Sequence, residues 1–522
     1  MGEMRQYKST DRATGIVYVY EGERFWDKDK KQARWRNRRC IGHVDPDTGE
    51  VVANKERRKP AAEHASPSAR RTFCGVAEVM RQAAELSGVA GDLERAVGPD
   101  RAPLVLSCAA FLAREASSPM SRQAAWARVN GMREIPSQRA SELFASIGEA
   151  EKEAFCRLRA ARLADGEYWV YDTTSISSYS EALCQVRWGR NKDKVPLPQL
   201  NLGVCIGNGS GMPFHYRRTA GNVPDVSTVR KLVGEVPYLD ARKARLLGDR
   251  GFYSRRNVDA LMDAHMKFVI GAKVGLSYVK EAIAANRGAM MAWENHDYGR
   301  GLYGLKVPIA WDHETEHPRL GTVEKTKRRA YLHLFYSPAR ELEEIAGVDA
   351  TVSMCKAELD AGNPLDEHQR YYDVWFARSR GKWVPDEEAI AAARENAGWF
   401  AVLTNDASLT CWDVDDMYRR KDRVEKAFGD VKGRLDVRTP RVSSEETLDG
   451  KVFCVFVALV LTTWLRNKMA ESGLAEAYTL DSMLDEVSCI ERFDRPGRRP
   501  SLGETTQKQR EIFEKLGMAL PA

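Results

Sequence analysis

Two aspartates stand where a strand ends and chemistry could begin. Tyr168-Trp169-Val170-Tyr171 is an apolar run leading into Asp172, which Thr173, Thr174 and Ser175 follow. Arg245-Leu246-Leu247-Gly248 is another, ending at Asp249 and continuing as Arg250-Gly251-Phe252-Tyr253-Ser254. Carboxylates at the ends of neighbouring strands can converge on one cation, and hard ions such as Mg²⁺ prefer those oxygens. Taken singly, either Asp has an ordinary reading as a turn residue or helix cap. A third element strengthens the pair. Around Tyr418 the spacing predicts a helix, and at about 100° per residue Tyr418, Lys421, Glu425 and Lys432 fall within about 60° of one another. Met417, Val424, Phe428, Val431 and Leu435 form a separate apolar stripe beside them. Such a helix can pack through the stripe while its rim offers one carboxylate flanked by cations, although an ordinary amphipathic helix has the same stripe.

The elements that would position these residues follow from the pattern. Residues 14–22 alternate as a strand, and Asp45-Pro46-Asp47-Thr48-Gly49 is a turn, so residues 1–60 read as a small basic strand module. Pro60 to Pro67 reads as a linker. Residues 61–163 turn helical, with apolar residues at three- and four-residue spacing, and suit a DNA-reading region without a recognisable helix-turn-helix. Strands are then expected up to Asp172, at Leu200–Ile206, at Phe214–Arg217, up to Asp249, at Phe268–Gly271 and at Trp399–Thr404. This order predicts an α/β mixed sheet with helices packed on it. Residues 164–275 and 397–475 supply the sheet, 276–396 form a largely β insertion, and 476–522 are a helical tail that could contribute to dimerisation.

The 522 residues exceed one ordinary core, and 43% hydrophobic with 30% charged residues describes a folded chain rather than a disordered one. The net charge of +6 is modest, but Lys30 to Arg71 is densely basic, with Arg34, Arg36, Arg38 and Arg39 at its centre. That cluster suits a polyanion such as DNA, or is a solvated basic surface. The 10 cysteines include no Cys-x-x-Cys pair, which argues against a zinc finger or a disulfide scaffold and for a reduced cytoplasmic setting. The start of the chain is polar and charged, unlike a signal peptide. The longest apolar run, Val452 to Leu465, is shorter than the roughly 20 residues a membrane span needs, so a buried helix and no membrane partner are expected.

Tyr418-x2-Lys421-x3-Glu425-x6-Lys432 is similar to the Tyr-Arg-Glu-Lys signature of bacterial insertion-sequence transposases of the DDE class, within the insertion-sequence-4-like superfamily. Tyr171-Asp172-Thr173-Thr174 resembles that family's first-Asp motif, and Gly248-Asp249-Arg250-Gly251-Phe252 its second. Ala220-Gly221-Asn222-x2-Asp225-x2-Thr228 resembles a segment often found between them, and Ile41-Gly42-x-Val44-Asp45-x-x-Thr48-Gly49-Glu50 an amino-terminal pattern of one branch. The resemblance covers most of residues 10–470. It departs at Lys421, where the family has arginine, unless Arg423 or Arg420 takes over; lysine is a point charge, whereas arginine grips phosphate bidentately.

The resemblance implies a ribonuclease-H-like core broken by an insertion before the glutamate helix. The interval from Asp249 to Glu425, more than twice that from Asp172 to Asp249, leaves room for one. It implies a cut-and-paste DNA transposase, acting near the nucleoid, that binds the element's terminal inverted repeats and target DNA as a homodimer and cuts by way of hairpin ends. Asp172, Asp249 and Glu425 would hold two Mg²⁺ or Mn²⁺ ions for in-line phosphodiester displacement, with Asp172 bridging and each of the others completing one ion. Tyr418, Lys421, Arg423, Lys432 and Arg250 would contact phosphates, together with Arg34, Arg36, Arg38 and Arg39; a structural role for Tyr418 stands beside this. The rivals are a decayed transposase that binds without cutting, a structure-specific nuclease of the same fold, and a regulatory DNA-binding protein. The last leaves carboxylates at strand ends unexplained.

Overall fold

A computed structural model describes residues 4–11, 14–27, 31–53, 70–115, 118–177, 183–189, 196–235, 244–317, 322–379, 382–420, 444–495 and 497–521. The chain divides into two compact units, one of Met1–Arg70 with Asp494–Arg499, the other of Arg71–Phe493 with Pro500–Ala522.

The smaller unit holds a four-stranded antiparallel sheet in chain order: β1 (Met4–Thr10), β2 (Val17–Asp27), β3 (Gln32–Val44) and β4 (Val51–Ala53). Its core is thin and aromatic. Tyr7 stacks on Trp35 at 4.3 Å and on Tyr20 at 5.5 Å, and the Arg38 guanidinium lies over the Tyr20 ring at 5.2 Å. Asp45 closes the β3–β4 turn, its Oδ1 accepting from the amides of Asp47 and Thr48 at 2.9 and 3.0 Å.

In the larger unit, Arg71–Phe73 of β5 (Arg70–Phe73) precede, among the described residues, six α-helices between Gly75 and Ala160. They pack around the 27-residue helix Glu445–Glu471, capped by Ser444, whose Oγ accepts from the Thr447 amide at 3.2 Å. This helix is long and apolar enough to cross a membrane, yet 83% of its apolar window is buried inside the protein. It extends well beyond the Val452–Leu465 run on both sides. At Gly450 a Cβ would sit 2.0 Å from the Phe144 carbonyl oxygen, so only glycine lets helix Ser137–Ala145 cross this closely. The tail helices Leu480–Ser488 and Gln507–Lys515 bury Met483, Leu484, Ile512 and Phe513 in the same core.

Among the described residues the sheet has nine strands. The meander β6 (Tyr168–Ser177), β7 (Gln199–Gly207) and β8 (Pro213–Ala220) is antiparallel. β9 (Arg245–Gly248) then joins parallel to β6, and β10 (Lys267–Ala272) parallel to β9. Beyond β10 the chain adds β11 (His296–Asp297), β12 (Leu302–His317) and β13 (Thr322–Tyr336), a separate hairpin of β14 (Phe376–Ser379) and β15 (Lys382–Pro385), and β16 (Trp399–Thr404). The full order is β11-β12-β13-β16-β10-β9-β6-β7-β8. One sheet face packs on the helical core through Val170, Val204, Leu247 and Val269; the other packs through Trp169, Tyr171, Leu246 and Phe268 onto helices such as Arg255–Asp263.

Residues 276–396 are not largely β. Their hairpin β12–β13 belongs to the central sheet, and the rest is mostly helical, with Ser277–Met290, the 23-residue Pro338–Asp360, Gln369–Trp375 and Glu387–Glu395. Pro338–Asp360 buries only Cys355, so its sequence carries almost no apolar period to read. Tyr371 to Phe376, β-like in composition, mostly winds into helix because Tyr372, Trp375 and Phe376 share one small cluster with Cys355.

Candidate active site

Strand register brings the two aspartates together. β6 and β9 pair parallel with Val170 opposite Leu247 and Tyr171 opposite Gly248, so the next step sets Asp172 beside Asp249. Side chains alternate along each strand. Val170 and Leu247 face the helical core, and Asp172 and Asp249, two residues further on, take that same face; the backbone at Asp249 is still extended. Asp172 is the one half-buried position in a strand otherwise buried throughout. Its Oδ1 accepts from the Thr173 amide at 2.7 Å. Asp249 follows β9 directly and opens the tight turn Arg250–Phe252, where its carbonyl accepts from the Phe252 amide at 2.9 Å. Ser254 then caps helix Arg255–Asp263 through the Asn257 amide.

A third element arrives on the same face. Residues 411–420 are helical, and Cys411, Val414, Met417 and Tyr418 all pack into the core that the carboxylate face borders. Thr410 and Asp413 cap its start reciprocally, the Thr410 amide donating to Asp413 Oδ2 at 2.8 Å and the Asp413 amide to Thr410 Oγ1 at 3.1 Å. This Thr-x-x-Asp box was present in the sequence, and it sets the helix start ahead of the position that Tyr418 alone suggested. The Tyr418 hydroxyl donates to the Gly248 carbonyl at 2.9 Å, one residue before Asp249. It also lies against Gly271, where a Cβ would sit 2.7 Å from it. Burial, and then the Asp249 carboxylate, push the Tyr418 hydroxyl pKa far up, so it stays protonated and a donor.

Lys421, Arg423, Glu425 and Lys432 lie outside the described residues. Among the described residues no group of three or more potential metal ligands is assembled. Asp172 and Asp249, side by side and half open to solvent, suit a hard divalent cation by the chemistry of their oxygens. Arg250 is exposed beside Asp249. Arg34, Arg36, Arg38 and Arg39 sit on β3 of the smaller unit, where Arg36 pairs with Glu23 at 2.8 Å. The segment after Ala220 is clamped: a Cβ on Gly221 would lie 2.0 Å from the Gln199 carbonyl oxygen, and the Asn201 side-chain Nδ2 donates to the Val223 carbonyl at 3.3 Å.

Sequence reasoning did not find the cavity that opens at Asp249. Of about 630 Å³, it is lined by Asp249, Arg250, Lys273, Lys280, Arg340 and Glu344, with Phe400 and Tyr418 among its walls. These residues come from five separate stretches, and no short motif could have announced them.

Residues 170–461 match the family described as "Transposase DDE domain". No curated protein matches the chain. Among solved structures, the cryo-EM structure of a piggyBac transposase synaptic complex with hairpin DNA is similar at 8% identity and a TM-score of 0.34, over 79% of this chain and 76% of that one.

Proposed function

The chain belongs to the family of transposases with a DDE domain, and from that premise we propose that it is a cut-and-paste enzyme. In this reading it binds the terminal inverted repeats of its element, cuts through hairpin ends and inserts the element into target DNA, working as a homodimer in the bacterial cytoplasm. The observation that carries it is the pairing of Asp172 with Asp249 on one face of adjacent strands. A meander followed by two parallel strands supports a ribonuclease-H-like core.

Asp172 and Asp249, with Glu425 as the third carboxylate, would hold two Mg²⁺ or Mn²⁺ ions. When bound, such ions lower the pKa of an attacking water or hydroxyl and neutralise charge on the phosphate. The protein's own part is orientation. Thr173 fixes the Asp172 carboxylate, and the turn at Arg250–Phe252 fixes Asp249. Arg250 with Lys421, Arg423 and Lys432, and the β3 arginines Arg34, Arg36, Arg38 and Arg39, would bind backbone phosphates, whose charge dominates DNA affinity. The test is strand cleavage of DNA carrying the element's own ends, with Mg²⁺ or Mn²⁺. Nicks at the ends support the reading, while specific binding without any cut at any metal concentration would leave the decayed transposase standing.

Tyr418 we assign to positioning rather than to phosphate, because its only proton is engaged by Gly248. A neutral hydrogen bond of this kind contributes about 1 kcal/mol. Tyr418→Phe is therefore expected to raise the Mn²⁺ concentration for half-maximal cutting about fivefold, with DNA affinity unchanged and the melting temperature lowered by only about 2 °C. A weakened DNA affinity at unchanged metal requirement would return Tyr418 to the phosphate.

A further inference from the structure

The cavity at Asp249 is unbalanced in charge. Four cations, Arg250, Lys273, Lys280 and Arg340, line it against two carboxylates, Asp249 and Glu344. Glu344 is already committed: one oxygen accepts from Arg340 Nε at 2.7 Å and the other from the Gly398 amide at 2.9 Å. Lys273, Lys280 and Arg250 have no ion pair among the described residues. The walls are anchored, since Lys273 follows β10 directly, Lys280 lies in the first turn of helix Ser277–Met290, and Arg340 in that of Pro338–Asp360.

Arg340 is the built part of the site. Its guanidinium lies over the Phe400 ring at 5.4 Å, and Phe400 in turn stacks on Phe335 at 4.7 Å with an interplanar angle of 10°. Glu344 holds Nε, which orients the guanidinium before any ligand arrives. The two terminal nitrogens carry no bond among the described residues. A guanidinium placed over an aromatic ring and held at Nε from behind is a prepared fork for a phosphate, and less side-chain entropy remains to be lost on binding.

We propose that this cavity seats a backbone phosphodiester of the DNA strand running past Asp249, with Arg340 gripping it and Lys273 and Lys280 balancing its charge. This rests on the reading of the chain as a DNA-cutting transposase, and it adds the route that the strand takes out of the carboxylate pair. The volume of about 630 Å³ falls within the roughly 300–1,000 Å³ of ordinary ligand sites, room enough for a phosphodiester. Three cations from three different elements then act on one phosphate, which a neutral pocket or a protein partner would not require.

The test compares wild type with the triple variant Lys273→Gln, Lys280→Gln, Arg340→Gln in binding a short duplex that carries one element end. Binding is measured without divalent metal across a range of salt concentrations. One lost phosphate contact lowers the salt slope by about one, and affinity at low salt is expected to fall about tenfold. Melting temperature is followed in parallel, and Lys273→Arg with Lys280→Arg is expected to keep the wild-type slope. An unchanged slope and affinity, or an affinity loss without a change of slope, overturns the proposal. Because no cutting is scored, a wild type that never cleaves would remove the catalytic reading and leave the phosphate seat to stand on its slope.

Discussion

Asp172→Asn and Asp249→Asn are expected to cut the element's ends at least about a thousandfold more slowly than wild type while binding them as tightly or slightly tighter. The reasoning is electrostatic. A carboxylate that holds a divalent cation contributes several kcal/mol of charge stabilisation where the phosphate reacts, and each 1.36 kcal/mol is about tenfold in rate. The amide keeps the shape and removes the charge. DNA, itself an anion, loses a repulsive neighbour, so affinity cannot be the step that suffers. Folding is spared as well, because both positions are half open to solvent. Metal-dependent melting supplies a second readout: the stabilisation of wild type by Mn²⁺ follows its occupancy, and it should largely vanish in either variant. If Asp249→Asn cuts within tenfold of wild type and keeps its Mn²⁺ response, the pairing of strand ends has been misassigned as a metal site.

Asp92→Ala should have the largest effect on stability, about 3–5 kcal/mol by urea unfolding. Asp92 is buried where the first helices meet, and three contacts converge on it: Arg159 Nη1 at 3.1 Å, Arg162 Nε at 2.8 Å and Arg162 Nη2 at 2.8 Å. Arg159 is itself buried, and burial pulls its guanidinium pKa down while the bond to Asp92 opposes that. Removing the carboxylate strands a charge inside the helical core. Whole proteins hold only about 5–15 kcal/mol in reserve, so the variant is expected to be marginal at room temperature. Adding Arg159→Met to Asp92→Leu should recover much of the loss, since a well-packed apolar pair often replaces a buried ion pair at little cost. A loss below about 1 kcal/mol for Asp92→Ala would mean that water reaches Arg159 and the site is not closed.

β9 was legible as a short apolar run, buried on both faces and stopped by a polar residue, whereas β6 does not end at Asp172 as expected but runs on to Ser177, its polar residues held by their pairing with β7. β9 begins at Arg245 as expected and stops at Gly248, one residue short of Asp249, and β16 runs from Trp399 to Thr404 as expected. What the sequence could not supply was register. A slip of one residue between β6 and β9 would turn Asp172 and Asp249 to opposite faces, and nothing in either run forbids it. Pro338–Asp360 stayed hidden for the opposite reason, since a helix that buries one residue has no stripe to detect. The cavity is a product of assembly alone. Lys273 and Arg340 are distant in the chain, and the ladder of β10, β16 and β13 brings them to one cavity.

That ladder also bears on how such a chain could have been lengthened or could be recut. Ser337 and Gly398 face each other at one spot, the Ser337 amide donating to the Gly398 carbonyl at 3.0 Å. The sixty or so residues between them leave the sheet and return to it through a single gap about one hydrogen bond wide. A segment with adjacent ends can grow, shrink or be exchanged without shifting the strands on either side, because loop closure depends only weakly on length. The base of the hairpin β12–β13 has no such freedom, because Tyr331 to Tyr336 of β13 are paired into the sheet with β16. The replaceable cassette is therefore the helical part, and since it carries Arg340, a graft there would alter the grip on DNA while the paired aspartates kept their places.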